Sequence, residues 1–510
     1  MTTPAIEGAT RYQGLRAFCR RFDRDATLQM LSAVSRAWDG QPTDERGRVK
    51  PFLPWDIAGV AATFLQWGTA GGGAPTPDEL GRMCWMFLNL EHPGLGEPGS
   101  GFAMVLRLIY SQIPFQAPDA GMHWARAVAL FRDTEFQEGY VPEAMTSGWQ
   151  EELLGCSVEQ WVSVGFALHA ALLQGSNYPF EWDPELEPAL EALGGSEDFD
   201  RVVRQGFTMT VDDYRARRRT HVERFGGTTA QQFLREPFAF NPLFSAPLID
   251  GIADHFVAPC FPAIEVRTSA LGIVHEGTSK WGEAFRRDAG QLFEQYVGRQ
   301  LRQIAGAVVI PELSYGPRRS RVKTIDWFVV LPDVVLLVEC KAMSPARNLQ
   351  EGFGTAEQVH ARLAKPLDQI NKTVQALGGG HTELADIPTD RPVVALVVTL
   401  GNFVMANGPE VRESLPVTTV PSAFIGVDFL EALVTTDAVE MSRYFAGVRA
   451  PAERPGVLPV EDIDLIGGTN ALLDVAFESL PIFPASDATD TLTLCQAFHS
   501  LPSALSTHEN

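Results

Sequence analysis

Closely spaced cysteines are missing from this chain: the six it has, at positions 19, 84, 156, 260, 340 and 495, form no C-x-x-C pair. That excludes a zinc ribbon, a cysteine-held iron–sulfur cluster and a disulfide framework, and leaves them as small buried residues. A Walker loop, a G-x-S-x-G elbow, an H-E-x-x-H helix and internal repeats are also lacking, so the sequence spells neither a P-loop motor nor a second active site. Between Met1 and Gln13 no basic segment leads into an apolar run, which sets the expectation of a cytoplasmic protein. The most apolar helical stretch, Trp161 to Leu173, contains His169 and is too short to span a bilayer. It predicts a core helix carrying a core histidine, and no membrane association. With 45% hydrophobic and 20% charged residues, the composition is that of an ordinary globular protein.

Positive charge is in short supply overall, the formal net charge being −22, but it is unevenly spread. Residues 280–380 hold 14 Lys+Arg against 10 Asp+Glu, whereas residues 381–510 hold 5 against 18 and residues 1–279 hold 22 against 35. Arg286, Arg287, Arg299 and Arg302 flank one predicted helix, and Arg318, Arg319, Arg321 and Lys323 lead into a predicted strand. The second group predicts contacts to a phosphate backbone. An acidic envelope around a basic cleft suppresses casual binding to bulk nucleic acid.

The strand in question is the most informative segment. Thr324 to Val330 and Val334 to Lys341 are rich in Val, Ile and aromatics and read as two buried strands, joined by a tight turn at Pro332-Asp333. A hairpin centred on that turn pairs residues whose numbers sum to 665. Asp326 then faces Glu339, with Cβ atoms about 5 Å apart. Alternation puts Lys341 on the face of Glu339 and turns the Cys340 side chain to the other. Two facing carboxylates in apolar surroundings are costly to ionise, and a divalent cation neutralises them. Mg²⁺ suits such a site because it keeps several waters and needs few protein ligands.

Asp326, twelve residues, then Glu339-x-Lys341 resembles the core of the PD-(D/E)XK nuclease superfamily, in its restriction-endonuclease-like branch. The family's element order, helix, three strands, helix, strand, can be traced here. An amphipathic helix is predicted through Phe285, Ala289, Leu292, Phe293, Tyr296, Val297, Leu301 and Ile304. It carries Glu294, with Gly290 and Gly298 keeping that surface uncrowded. A strand at Val308–Ile310, the hairpin, a helix from about Ala356 to Leu377 and a strand at Val393–Val398 follow, and Ala423–Val427 extends the sheet, with Asp428 capping a helix through Leu433. Ile325 stands where the superfamily's namesake has proline. Neither Gln358 nor Gln369 is followed four residues on by tyrosine, so the RecB-like pattern is not met. Thr355 to Gln358 also reads as a capping box, and Pro366 predicts a kink or a break.

The resemblance covers roughly residues 281–435. It implies a mixed α/β core, a sheet flanked by helices in the restriction-endonuclease-like manner, preceded by a large mainly α-helical region. It further implies a Mg²⁺-dependent nuclease, with Mn²⁺ as substitute, acting on DNA rather than RNA, and defence against foreign DNA as a role. Asp326, Glu339 and the Cys340 carbonyl would hold the metal, Lys341 would position or activate water, and Glu294 would complete the acidic cluster. The competing expectation is an inactive nuclease-fold platform whose helical region binds a protein partner or a second copy.

Three regions are therefore expected: 1–280, helical and regulatory; 281–450, nuclease-like; and 451–510, an acidic, loosely attached tail with a helix near Asn470–Leu480. In the first, Thr27–Trp38, Thr76–Leu90, Ser157–Gln174 and Val211–Phe225 show helical spacing. Gly94-x-Gly96-x-x-Gly99 matches a dinucleotide fingerprint but follows a helical pattern and contains Pro98, so it reads as a loop. Arg215, Arg217, Arg218 and Arg219 spread over more than one helix face and read as solvated, with a nucleic-acid contact as the alternative.

Overall fold

The hairpin closes in the register that its residue pattern predicts. In the computed structural model, which describes residues 10–483 apart from 39–40, 45, 92–99, 116–119, 176, 181–186, 345–349, 352–355, 448–455 and 461–467, Trp327 pairs with Val338 and Val330 with Val335. The Leu331 N–H donates to the Val334 carbonyl at 3.0 Å and seals the two-residue loop.

Strands β1 (Thr208–Thr210) and β2 (Leu248–Asp250) form a short parallel pair in the otherwise helical N-terminal part. The main sheet has five strands: β3 (Val308–Pro311), β6 (Trp327–Val330), β7 (Val335–Lys341), β8 (Val393–Thr399) and β9 (Ser422–Gly426), in that spatial order. The first three run antiparallel and the last three parallel, so the protein is mixed α/β with its sheet in the C-terminal half. Between β3 and β6 the chain makes a separate two-stranded ribbon, β4 (Ser314–Tyr315) with β5 (Val322–Lys323).

Both faces of the sheet are covered, which is why β7 and β8 read as unbroken apolar runs. One face buries Phe328, Val335, Leu337, Ala395 and Val397 under the crossover helix Ala356–Gly378, through Val359, Leu363, Leu367 and Ile370. The other buries Trp327, Leu336, Val338, Leu396 and Val398 under the helix Glu283–Leu301, through Leu292, Phe293, Tyr296 and Val297. The same apolar cluster continues into the helices Ala120–Phe131 and Val158–Leu173, with no gap at residue 280.

Several expectations need correction. Of the two outcomes expected at Pro366, the break does not occur: the crossover helix runs from Ala356 to Gly378 with the proline inside it. The helix Val427–Leu433 is capped by Gly426, leaving Asp428 in its first turn. Arg218 is buried, donating to the carbonyls of Glu236 at 2.6 Å and Phe240 at 2.7 Å, and Arg215 reaches the Leu65 carbonyl at 3.0 Å. These two arginines tie helices together instead of facing solvent. The helix Ala471–Glu478 is no loose tail: Leu473 and Ala476 are buried, and Asn470 donates to Gln300 Oε1 at 2.8 Å and to the Glu431 carbonyl at 2.9 Å.

The N-terminal helices stand close to their expected bounds, at Arg24–Arg36, Pro77–Leu88, Val158–Leu173 and Val211–Glu223, capped by the side chains of Asp23, Thr76, Ser157 and Thr210. One described stretch, Trp149–Leu173, has the length and apolarity of a membrane span, and 67% of its 18-residue apolar window is buried inside the protein. His169 stacks on Phe261 at 4.4 Å and bonds Glu265 at 2.8 Å, a satisfied core histidine. The five described cysteines are free and buried. Cys495, the Gly94–Gly99 motif and Thr355 of the expected capping box lie outside the described residues.

Candidate active site

Along an antiparallel pair, hydrogen-bonded and non-hydrogen-bonded residue pairs alternate. Leu331 and Val334 are a bonded pair, so Asp326 and Glu339, five steps along, are a non-bonded pair, the arrangement that brings side chains closest. At this point the chain leaves the ladder. The Ile325 N–H turns to Thr373 Oγ1 at 3.0 Å, and the Cys340 N–H is taken by Asp326 Oδ2 at 2.6 Å. Alternation also points the Cys340 carbonyl into the gap that Ile325 vacates. Two carboxyl groups and a main-chain oxygen therefore converge where β6 peels from β7.

Glu339 is fully buried. Its Oε1 accepts from Lys341 Nζ at 2.5 Å, while Oε2 has no hydrogen-bond partner. Such an orphaned buried carboxylate oxygen is costly unless a cation or a proton meets it. The Lys341 side chain is 29% exposed and is the end of the set that solvent or a substrate reaches. Glu294 comes from the helix layered on the opposite face. The Trp327 indole Nε1 donates to the Glu294 carbonyl at 3.0 Å and fixes that helix against β6, and Gln291 and Gln295 hold the carboxylate at 3.3 and 3.4 Å.

Gly298 serves this arrangement differently than its spacing suggests. A Cβ there would fall 2.2 Å from the Trp327 ring, so the missing side chain makes room for the indole; a Cβ at Gly290 would meet nothing within 4 Å.

One acidic residue is not visible from sequence spacing. Continuing the β3–β6 register by one step beyond Pro311 and Trp327 sets Glu312 opposite Asp326. Glu312, Asp326 and Glu339 thus lie in a row across three neighbouring strands, and Glu312 is ion-paired to Lys323 at 2.6 Å. The signal was hidden because the β4–β5 ribbon intervenes, so loop length alone could not give the register.

The electrostatics follow from this crowding. Burial, then the charges of Asp326 and Glu312, push Glu294 up to about 7. Burial and the charge of Asp326 push Glu339 up to about 8. Asp326 is raised by burial, with Lys341 and the Cys340 N–H acting against it. Burial alone would lower Lys341, but Glu339 and Asp326 outweigh it and hold its ammonium above the ordinary lysine value. The Cys340 thiol, buried on the other face, is raised well above the usual thiol range by that burial and by the charge of Asp326.

Of the predicted phosphate contacts, Arg318, Arg319 and Arg321 are exposed at the tip of the β4–β5 ribbon, whereas Lys323 at its base is engaged by Glu312. Arg286, Arg287 and Arg299 pair with Glu283, Glu143 and the Ala129 carbonyl, and Arg302 lies over Trp327. Among the described residues no three His, Cys, Asp or Glu side chains gather tightly enough to cage a metal by themselves. Comparison of the chain with protein-family models, with curated proteins and with solved structures finds no match.

Proposed function

We propose that this protein is a Mg²⁺-dependent nuclease, hydrolysing phosphodiester bonds of DNA, with the PD-(D/E)XK type of core expected from its motif. The observation that carries the reading is the unpartnered, buried Glu339 Oε2 beside Asp326, at the point where two strands part. The element order, the helix Glu283–Leu301, then β3, β6 and β7, the helix Ala356–Gly378 and β8, with the β4–β5 ribbon inserted, follows the order that the resemblance implies. Glu294, Glu312, Asp326 and Glu339 set four carboxyl groups against the ammonium groups of Lys323 and Lys341. Fully ionised, the cluster keeps two negative charges, which is the charge that one divalent cation neutralises.

Asp326 and Glu339, with the Cys340 carbonyl, would hold the ion. When bound, Mg²⁺ supplies charge neutralisation and Lewis acidity toward a phosphodiester oxygen. Lys341, tethered to Glu339 but reachable from outside, orients the attacking water and steadies negative charge developing on the phosphate. Glu294, raised to about 7, is poised to accept a proton near neutral pH. The exposed arginines of the ribbon hold the nucleic-acid backbone beside the cluster.

The test incubates the full chain with supercoiled plasmid, linear duplex, single-stranded DNA and RNA, each with Mg²⁺, Mn²⁺ or EDTA, alongside Asp326→Ala and Lys341→Ala. Metal-dependent cleavage lost in both folded variants is the expected result. Full activity in Lys341→Ala would sink the assignment, and absence of divalent-metal binding that depends on Asp326 would favour the inactive platform.

A further inference from the structure

A cavity of about 300 Å³ opens between the N-terminal helices and the ends of β7 and β8, a size suited to a small molecule. Trp55, Phe87, Phe115, Phe238 and Phe244 give it an aromatic lining, and Ser344 and Leu400 to Asn402, just beyond the two strands, also border it. None of the acidic-cluster residues lines it, so it is a separate site.

Most charged groups on its wall are already committed. Arg126 is bound by Glu431 at 2.5 Å, Glu276 by Arg267 at 3.0 Å and Glu265 by His169 at 2.8 Å. Arg218 is held by backbone carbonyls, and Glu351 accepts the Phe240 N–H at 2.9 Å. Two groups remain. Asp56, only 3% exposed on the helix Pro54–Trp67, has no side-chain hydrogen bond or ion pair among the described residues. Arg107, on the helix Ser100–Gln112, has its guanidinium carbon over the Phe238 ring, 4.2 Å from the centroid, and its buried Nε has no hydrogen-bond partner. Burial alone pushes Asp56 up to about 8 and pulls Arg107 down to about 10, with no neighbouring charge acting on either. The two opposite charges therefore do not compensate each other, although they share one cavity.

Buried groups of this kind are costly without partners, and here the open space in front of them is where partners can come from. A guanidinium stacked on an aromatic ring keeps its edge free for a phosphate or carboxylate. A carboxyl group presents a donor and an acceptor when protonated, or two acceptors when ionised, and both forms match the polar edge of a heteroaromatic ring. The aromatic lining supplies apolar faces for such a ring. We propose that this cavity binds a small planar heteroaromatic ligand bearing one anionic group, with the anion on Arg107, the ring against the aromatic lining and its polar edge on Asp56. Nucleoside monophosphates are the class that fits. The proposal stands whether or not the acidic cluster cleaves nucleic acid.

Binding of AMP, GMP, CMP and UMP to the full chain, without divalent metal, is measured by calorimetry and by the fluorescence of Trp55 and its neighbours. At least one should bind saturably, and Arg107→Gln should weaken it roughly ten- to a hundredfold, as expected for loss of a charged hydrogen bond. The matching nucleoside, lacking the phosphate, should bind wild type and Arg107→Gln alike, which separates a direct interaction from damage to the fold. Asp56→Asn, nearly identical in shape, should weaken binding of the nucleotide and nucleoside together and carries the test if Arg107→Gln does not fold. Absence of saturable binding by all four nucleotides, or equal affinity in wild type and the folded variants, overturns the proposal.

Discussion

Gly290 and Gly298 stand eight residues apart on the Glu294 helix, and alanine at the two positions should act in opposite directions. In a helix interior alanine is favoured over glycine by about 1 kcal/mol. At Gly290 a Cβ meets nothing within 4 Å, so Gly290→Ala should stabilise by roughly 0.5–1 kcal/mol. At Gly298 it would lie 2.2, 2.5 and 2.7 Å from three atoms of the Trp327 indole, where ordinary carbon contacts need about 3.5–4.0 Å. The ring must shift by about 1 Å, yet Trp327 is 2% exposed and tethered to the Glu294 carbonyl at 3.0 Å. Overpacking costs about 1–3 kcal/mol and the lost hydrogen bond about 1, against the helix gain of about 1. Gly298→Ala should therefore be about 1–3 kcal/mol less stable than wild type and about 2–4 less stable than Gly290→Ala. Urea unfolding of the three proteins, followed by circular dichroism, measures both differences. If Gly298→Ala matched or exceeded Gly290→Ala, the packing argument that places Glu294 beside Asp326 would be wrong.

Further expectations concern the charges. Glu294 and Glu339 are raised to about 7 and about 8 from ordinary values of 4.5, so between those values the folded protein holds protons that the unfolded chain has released. Stability of the metal-free protein should then fall as pH rises from about 4.5 to about 8, and thermal stabilisation by Mg²⁺, which competes with those protons, should be larger above that window than within it. Melting curves with and without Mg²⁺ check this, and Glu339→Gln should flatten the pH dependence; an unchanged profile in that variant would refute it. Arg126 and Glu431, buried and 2.5 Å apart, should each cost about 3–5 kcal/mol when replaced singly by Met and Gln, with the double variant losing less than the two singles together. Strict additivity in denaturation would remove the pair from the account. Replacing Arg318 and Arg319 by alanine should weaken DNA binding uniformly across sequences and lower the salt slope by about 1 for each phosphate no longer neutralised; an unaltered slope would clear the ribbon of that role.

Much of the sheet was legible because strand pairing obeys a local arithmetic. Apolar residues with a two-residue turn at Pro332-Asp333 suffice to set Asp326 against Glu339, and the observed pairs Trp327 with Val338 and Val330 with Val335 follow that register. The helix bearing Glu294 was legible from its three- and four-residue spacing. What Gly298 does was not, because Trp327 lies 29 residues further along the chain and its ring direction depends on the sheet beneath it. The burial of Arg218 was equally hidden, since its acceptors are backbone carbonyls near residues 236 and 240, and no spacing rule advertises a free carbonyl.

The sequence by itself determined the elements and the residues most able to do chemistry, since periodicity, turn residues and the Asp326, Glu339, Lys341 set are properties of neighbouring positions. Tertiary structure alone decided which distant groups share an environment: Glu312 joining the acidic row, Glu339 keeping one oxygen unpaired, Asp56 and Arg107 facing one cavity, and the helix Ala471–Glu478 locking onto Gln300 and Glu431. The physical reason is that burial and charge compensation depend on everything packed around a group, and packing brings together residues such as Arg126 and Glu431 that lie 305 positions apart.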